Sequence, residues 1–139
     1  MFLFVVFMLV AAVLTILSMA VLTWKGATAK EALASEVKQD VPRWIAQENL
    51  PTDAVPGAQL FAVAGCTACH TYAGSGGSQL GAPDLTAIAT RNLGVPTQIK
   101  HLQNPSSVTP GSPMPPFASL RPQRLHQLAV FLEASKGTG

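Results

Sequence analysis

The chain has 139 residues, which leaves room for one domain with accessory segments. Only 12% of the residues are charged against 48% apolar, and the imbalance is positional, because residues 1–24 carry no ionisable side chain at all. A formal net charge of +2 with no cluster of basic residues excludes a nucleic-acid-binding surface.

The first element is apolar throughout. Residues 1–24 are interrupted only by Thr15, Ser18 and Thr23. As a helix rising about 1.5 Å per residue they reach about 36 Å, enough to cross a hydrocarbon core of about 30 Å with some tilt. Trp24 and Lys25 follow as an interfacial ring and a charge. These features predict a retained transmembrane helix over residues 1–24 that contacts membrane lipid. Two alternatives compete. A cleavable signal peptide is suggested by Ala27-Thr28-Ala29, but the apolar run exceeds the usual signal core and no basic residue precedes it. A buried soluble helix would need more surrounding protein than this chain supplies.

Residues 25–56 read as a partly helical stalk. Ala, Glu, Lys and Leu are dense up to Gln39, and Lys30, Glu31, Glu36 and Lys38 alternate in sign as on a solvated helix face. Pro42 is expected to break or kink the run, and Pro51 and Pro56 to close it as a turn-rich linker. Trp44 and Ile45 are the apolar spot of this segment. They read either as an aromatic capping its own short helix or as a docking point on a partner or the membrane surface.

The domain proper is expected over residues 57–139. Gly57-Ala58-Gln59-Leu60-Phe61 starts a helix in which Gly57, lacking a Cβ, admits a second helix closely and Phe61 lies one turn on along the same face. The partner is the helix over 121–135, where Leu125, Leu128, Ala129 and Leu132 recur at helical spacing with Phe131 beside them. No internal repeat is visible. Gly74-Ser75-Gly76-Gly77-Ser78 reads as a small flexible loop and not a phosphate cradle, since it lacks the lysine of a P-loop and a preceding strand.

The chemistry centres on Cys66-Thr67-Ala68-Cys69-His70. C-x-x-C-H is the spacing that attaches a c-type haem. Two thiols a fixed distance apart add across the two vinyl groups of one porphyrin, and the histidine that follows can bring an imidazole nitrogen to the iron. A zinc site or a redox dithiol shares the C-x-x-C spacing but fits poorly. His101 and His126 do not complete a zinc pattern, and the strand–helix alternation of a thioredoxin-like chain is missing. With Cys66 and Cys69 both occupied by one covalent haem, neither is left for a disulfide or a lipid. Because such haem is added outside the cytoplasmic membrane in bacteria, the motif argues for an extracytoplasmic domain.

From about Gly57 to Lys136 the sequence resembles the class I, mono-haem cytochromes c: a glycine-bearing helix leads into C-x-x-C-H, and a proline turn, a methionine loop and an amphipathic last helix follow. The resemblance implies an all-α fold, helices wrapped around one haem. It implies that the first and last helices cross near Gly57 and Phe131. Gly81-Ala82-Pro83-Asp84-Leu85 is similar to the family's G-P-x-L turn, with one residue more between glycine and proline. There the proline carbonyl accepts the Nδ1–H of the haem histidine, a role that falls to Pro83 and raises ligand basicity. Tyr72, just past His70, is grouped with the cofactor-binding residues. A middle helix is expected near 96–103, with Val95, Ile99 and Leu102 as its apolar stripe and Pro96 in its first turn.

Met114 stands in Thr109-Pro110-Gly111-Ser112-Pro113-Met114-Pro115-Pro116-Phe117, where prolines stiffen the backbone on both sides. The family holds its axial methionine in such a loop, so the resemblance makes His70 and Met114 the two axial ligands of the iron. His101 and His126 read as surface residues. Thioether ligation closes the iron to small ligands and raises its potential. The implied function is therefore one-electron transfer and not catalysis. From residue 57 onward five basic side chains face two acidic ones, a modest bias toward an acidic redox partner.

The chain thus reads as a single-pass protein of a bacterial cytoplasmic membrane with its haem domain on the periplasmic side, relaying electrons between donor and acceptor proteins. It reads first as a subunit of a quinol-oxidising complex of the alternative complex III or cytochrome bc type, or of another respiratory or photosynthetic complex. A tethered shuttle between complexes and a haem-based small-ligand sensor are the alternatives. One feature points the other way. Lys25 and Lys30 follow the apolar span and no basic residue precedes it, so the positive-inside tendency would put the domain in the cytoplasm unless partner subunits orient the helix.

Overall fold

A computed structural model gives the fold; it describes residues 1–138, and the side chains of all of these except 29–38. The expected solvated face of Lys30, Glu31, Glu36 and Lys38 therefore lies outside the described side chains. The molecule is mostly helical, with 62% helix and 3% strand, in agreement with the all-α expectation. Four α-helices follow in chain order: α1 (Phe2–Gln47), α2 (Val55–Val63), α3 (Val95–Gln103) and α4 (Pro122–Ala134). A hairpin of two short strands, β1 (Thr71–Tyr72) and β2 (Ser75–Gly76), lies between α2 and α3. The chain divides into two compact units, Met1–Ser35 and Glu36–Gly139.

In the first unit the stretch Phe2–Thr28 is long and apolar enough to cross a membrane, with a mean hydropathy of 2.8 and none of it buried. Its hydroxyls do not disturb this surface. Thr15 donates to the carbonyls of Ala11 and Ala12, Ser18 to that of Leu14, and Thr23 to those of Met19 and Ala20. Each polar group is satisfied within the helix itself, which is what a hydrocarbon environment demands.

The second unit is built on α2 and α4. Proline stands in the first turn of α2, α3 and α4 (Pro56, Pro96 and Pro122), where its missing N–H costs no hydrogen bond. Gly57 sits where α2 meets α4. A Cβ placed there would collide with the backbone carbonyl of Gln127 and come within 2.6 Å of Phe131 Cβ. The close crossing expected at Gly57 and Phe131 is thus present. Gly57→Ala should destabilise the protein by about 1–3 kcal/mol or more, because neither a backbone carbonyl nor a buried ring can step aside. Denaturant unfolding of the purified variant measures it.

The core is aromatic. Trp44, Phe61, Tyr72 and Phe131 are all at most 2% exposed, and their ring centroids lie 4.8–6.0 Å apart in edge-to-face and tilted contacts. Leu125, Leu128 and Leu132 of α4 and Leu102 of α3 extend it. Trp44 corrects the reading of the stalk. It neither caps an isolated helix nor offers a docking surface, because its ring is wholly buried. Val41 and Leu50 are buried too, at 2% and 7% exposure. Pro42 lies inside α1, which runs on to Gln47. Val41 and Trp44 stand at i and i+3 on one face of α1, and Glu48, just past its end, is buried with them. Glu48 closes the far end of this contact: its carboxylate accepts the backbone N–H of Thr138 at 2.9 Å, and its carbonyl accepts the Thr138 hydroxyl at 3.1 Å.

Tyr72 carries the one buried hydroxyl of the aromatic group. It shares a 2.9 Å hydrogen bond with Ser135 Oγ, and Ser135 in turn donates to the carbonyl of Phe131. Burial pushes the phenol up to about 12, with the Ser135 bond opposing and the Glu48 charge adding. An unfolded tyrosine ionises near 10. The folded phenol thus keeps a proton that the unfolded chain releases, and its stabilising contribution is complete below pH 10 and lost as pH rises to about 12. The unfolding midpoint should fall across that window in the native protein and less steeply in Tyr72→Phe.

Candidate functional site

The stretch after α2 is a short 3-10 turn, Cys66–Ala68, entered through Gly65. Backbone bonds close it into a compact loop: the amides of Cys69 and His70 both donate to the carbonyl of Cys66, at 3.2 and 2.9 Å. Both thiols and the imidazole are therefore presented from one turn of chain, all half-buried.

The ring of His70 is oriented from the opposite side. Its Nδ1 lies 2.8 Å from the carbonyl oxygen of Pro83. A carbonyl only accepts, so Nδ1 carries the proton and Nε2 keeps its lone pair for a metal. Pro83 is held in turn by its neighbour. Asp84 accepts the Thr71 hydroxyl at 2.8 Å and the backbone N–H of Thr86 at 2.7 Å. Hydrogen bonds from Thr86 and Thr71 hold the Asp84 carboxyl below the usual aspartate range, against a smaller opposing effect of burial. The amide of Leu85 donates to Thr71 at 3.0 Å, so the turn bearing Pro83 is tied to the chain just after His70.

Residues 74–78, expected as a flexible loop, are in part a hairpin strand beside this site. Tyr72 pairs with Ser75 across a two-residue turn, Ala73-Gly74, whose φ angles of 44° and 77° are both positive, as such turns need. Ser75 is buried and receives the indole N–H of Trp44 at 3.1 Å. The glycines that suggested mobility supply the positive φ of a tight hairpin.

Met114 sits on extended chain between prolines, half-buried against the core beside the same cluster that Cys66 packs on. Its amide donates to Ser112 Oγ at 3.3 Å, and the end of its loop is fixed by the Phe117 amide donating to Leu102 of α3 at 2.8 Å. Ile99, Phe117 and Leu120 are half-buried against the same core. Two thiols, an imidazole with Nε2 available, a thioether and a border of half-buried apolar side chains together suit a flat, apolar macrocycle with an iron at its centre. Tyr72, expected at the cofactor, has its ring in the aromatic core and its hydroxyl on Ser135. His126 is exposed, whereas His101 is half-buried on α3, and burial followed by the nearby His70 lowers its pKa. Among the described residues no group of three or more His, Cys, Asp and Glu is placed to hold a metal ion.

The family model described as Cytochrome c matches residues 54–136. The chain belongs to the cytochrome c family. Its cofactor is accordingly haem c, covalently bound, and its chemistry is haem-based electron transfer of the kind typical of electron carriers. Neither the curated proteins nor the solved structures contain a match to this cytochrome. The matched segment begins after Leu50, so the buried stretch Val41, Trp44, Glu48 and Leu50 belongs to this cytochrome's core but lies outside the family domain. Helical spacing was the signal for it, present in the sequence at 41, 44 and 48.

Proposed function

We propose that this cytochrome is a membrane-anchored carrier of one haem, bonded through Cys66 and Cys69, with His70 and Met114 as axial ligands, and that it works as a subunit of a quinol-oxidising or related electron-transfer complex on the extracytoplasmic face of a bacterial membrane. The observation that carries the reading is the 2.8 Å bond from His70 Nδ1–H to Pro83. It fixes the tautomer that leaves Nε2 for iron, and it holds the ring so that both oxidation states meet one ligand geometry.

When bound, the haem supplies the one-electron couple of its iron. The protein's residues set the conditions. Pro83, anchored through Asp84, Thr86 and Thr71, keeps the imidazole oriented. Proline on either side of Met114 leaves the thioether little freedom, which favours a closed sixth position and a raised potential. The half-buried Ile99, Phe117 and Leu120 keep water from the ring. Residues held in this way would keep the same ligands on the iron in both oxidation states, which suits rapid electron transfer in either direction.

The apolar stretch Phe2–Thr28 supports the anchor. The described core begins at Val41, well inside the expected stalk of residues 25–56, which supports a subunit held at the membrane over a ranging shuttle. A haem-stained native gel of membranes in mild detergent tests the assignment. Haem migrating with a large assembly is expected, and mass spectrometry of that band names donor and acceptor. Haem migrating alone near 14.5 kDa would overturn the subunit reading in favour of a tethered carrier.

A further inference from the structure

The residues before the family domain meet the hairpin beside the haem-attachment loop at Ser75 and Tyr72. Trp44 Nε1–H donates to Ser75 Oγ at 3.1 Å, and the Arg43 guanidinium, which also holds Asp40 at 2.8 Å, donates to the same oxygen. Ser75 lies opposite Tyr72 in the hairpin, and the Tyr72 ring packs on Trp44 with centroids 5.1 Å apart. The next residue, Gly76, rests directly on the loop. A Cβ there would collide with the carbonyl of His70 and lie 2.7 Å from that of Thr67, and its φ of 83° excludes most side chains as well. Gly77 donates to Thr67 at 3.2 Å and Gln79 to Cys69 at 3.0 Å. The hairpin and the residues that follow it therefore lie against the backbone of Thr67 and His70 and bond to Thr67 and Cys69, while Pro83 holds the His70 ring.

We propose that Trp44 and Ser75 are positioning residues for the haem: they hold the hairpin against the attachment loop and so fix the tilt of the His70 imidazole. Two fixed points define the imidazole plane, the backbone of His70 and the Nδ1–Pro83 bond. Releasing the hairpin frees the first. The end of α1 is thereby part of the redox site, although it precedes the family domain. The inference rests on His70 as an axial ligand.

The test uses the full-length holoprotein in detergent. Trp44→Phe keeps an aromatic ring and removes the donor; Ser75→Ala removes the acceptor; Ser75→Thr restores it. Gln98→Ala, which removes the 2.8 Å bond from Gln98 of α3 to Glu133 of α4 and touches no hairpin residue, serves as the control for stability alone. The readouts are the paramagnetically shifted haem-methyl resonances of the ferric protein, which follow the imidazole plane, and the midpoint potential. Trp44→Phe and Ser75→Ala are expected to shift the methyl pattern and the potential in the same sense. The double variant should do no more than the larger single one, and Ser75→Thr should return toward the native pattern. If the single variants lower the unfolding midpoint as Gln98→Ala does but leave pattern and potential native, the pair is merely structural and the proposal falls. If Trp44→Phe does not mature, Ser75→Ala against Ser75→Thr decides alone. His70→Ala separates the two failures: a low-spin haem signature that survives it would refute His70 as ligand, whatever the hairpin does.

Discussion

A chain shortened to begin at Ala54, the start of the family domain, is expected to lose most of its stability, whereas one begun at Gln39 keeps it. The longer form retains Val41, Trp44 and Leu50 in the core and Glu48 on Thr138. The shorter form exposes one face of Phe61 and Tyr72, which Trp44 covers, and strips Ser75 of its indole donor. Truncating a buried tryptophan to alanine alone costs about 3–5 kcal/mol. Removing it with two further apolar residues should exceed 5 kcal/mol, a large share of the roughly 5–15 kcal/mol that holds a typical domain folded. Comparing guanidinium unfolding midpoints of the two soluble forms measures the difference. Equal midpoints would mean that the stretch before Pro51 lies on the domain without supporting it.

Replacing Met114 with alanine should change the redox site strongly if, as proposed, its thioether is the second ligand of the iron. Without the thioether the ferrous haem is five-coordinate or takes water. The potential should then fall by a substantial fraction of the roughly 0.8 V that axial ligands span. Carbon monoxide, which a native haem carrying both ligands would exclude, should bind stoichiometrically. The loop should survive the change, because its anchor is the Phe117 amide on Leu102 and not the methionine side chain. A native potential in Met114→Ala would remove Met114 from the ligand set. Rapid carbon monoxide binding by the native protein would favour a ligand sensor over a carrier.

Much of this molecule was legible because its signals are local. The spacing of Cys66, Cys69 and His70 names its cofactor within five residues, and the apolar run before Trp24 announces itself by length. The crossing at Gly57 was legible through a glycine placed one turn before Phe61, facing a leucine-rich helix. The contacts that escaped are long-range. Trp44 meets Ser75 across 31 positions, and Glu48 meets Thr138 across 90. The helical spacing of Val41 and Trp44 marks one face, but it does not tell a ring that caps its own helix from one that a distant serine will claim. Gly74 and Gly76 pointed to flexibility by composition. Their positive φ angles, imposed by pairing across the turn, instead make a rigid support. Pro83 was anticipated by resemblance, but the Thr71–Asp84–Thr86 bonds that hold it depend on tertiary placement of three polar side chains.

The two tryptophans divide between the two units: Trp24 is 69% exposed on the apolar stretch, and Trp44 is wholly buried in the core. They make a built-in pair of optical reporters. Trp44, packed close to the haem-bearing loop, should transfer its excitation energy to the porphyrin and stay dark until the domain unfolds. Trp24 should supply most of the native emission, and bromine-labelled lipids should quench it according to its depth. One emission spectrum, recorded as denaturant is added to reconstituted vesicles, therefore follows membrane insertion and domain folding as separate events, with no label attached.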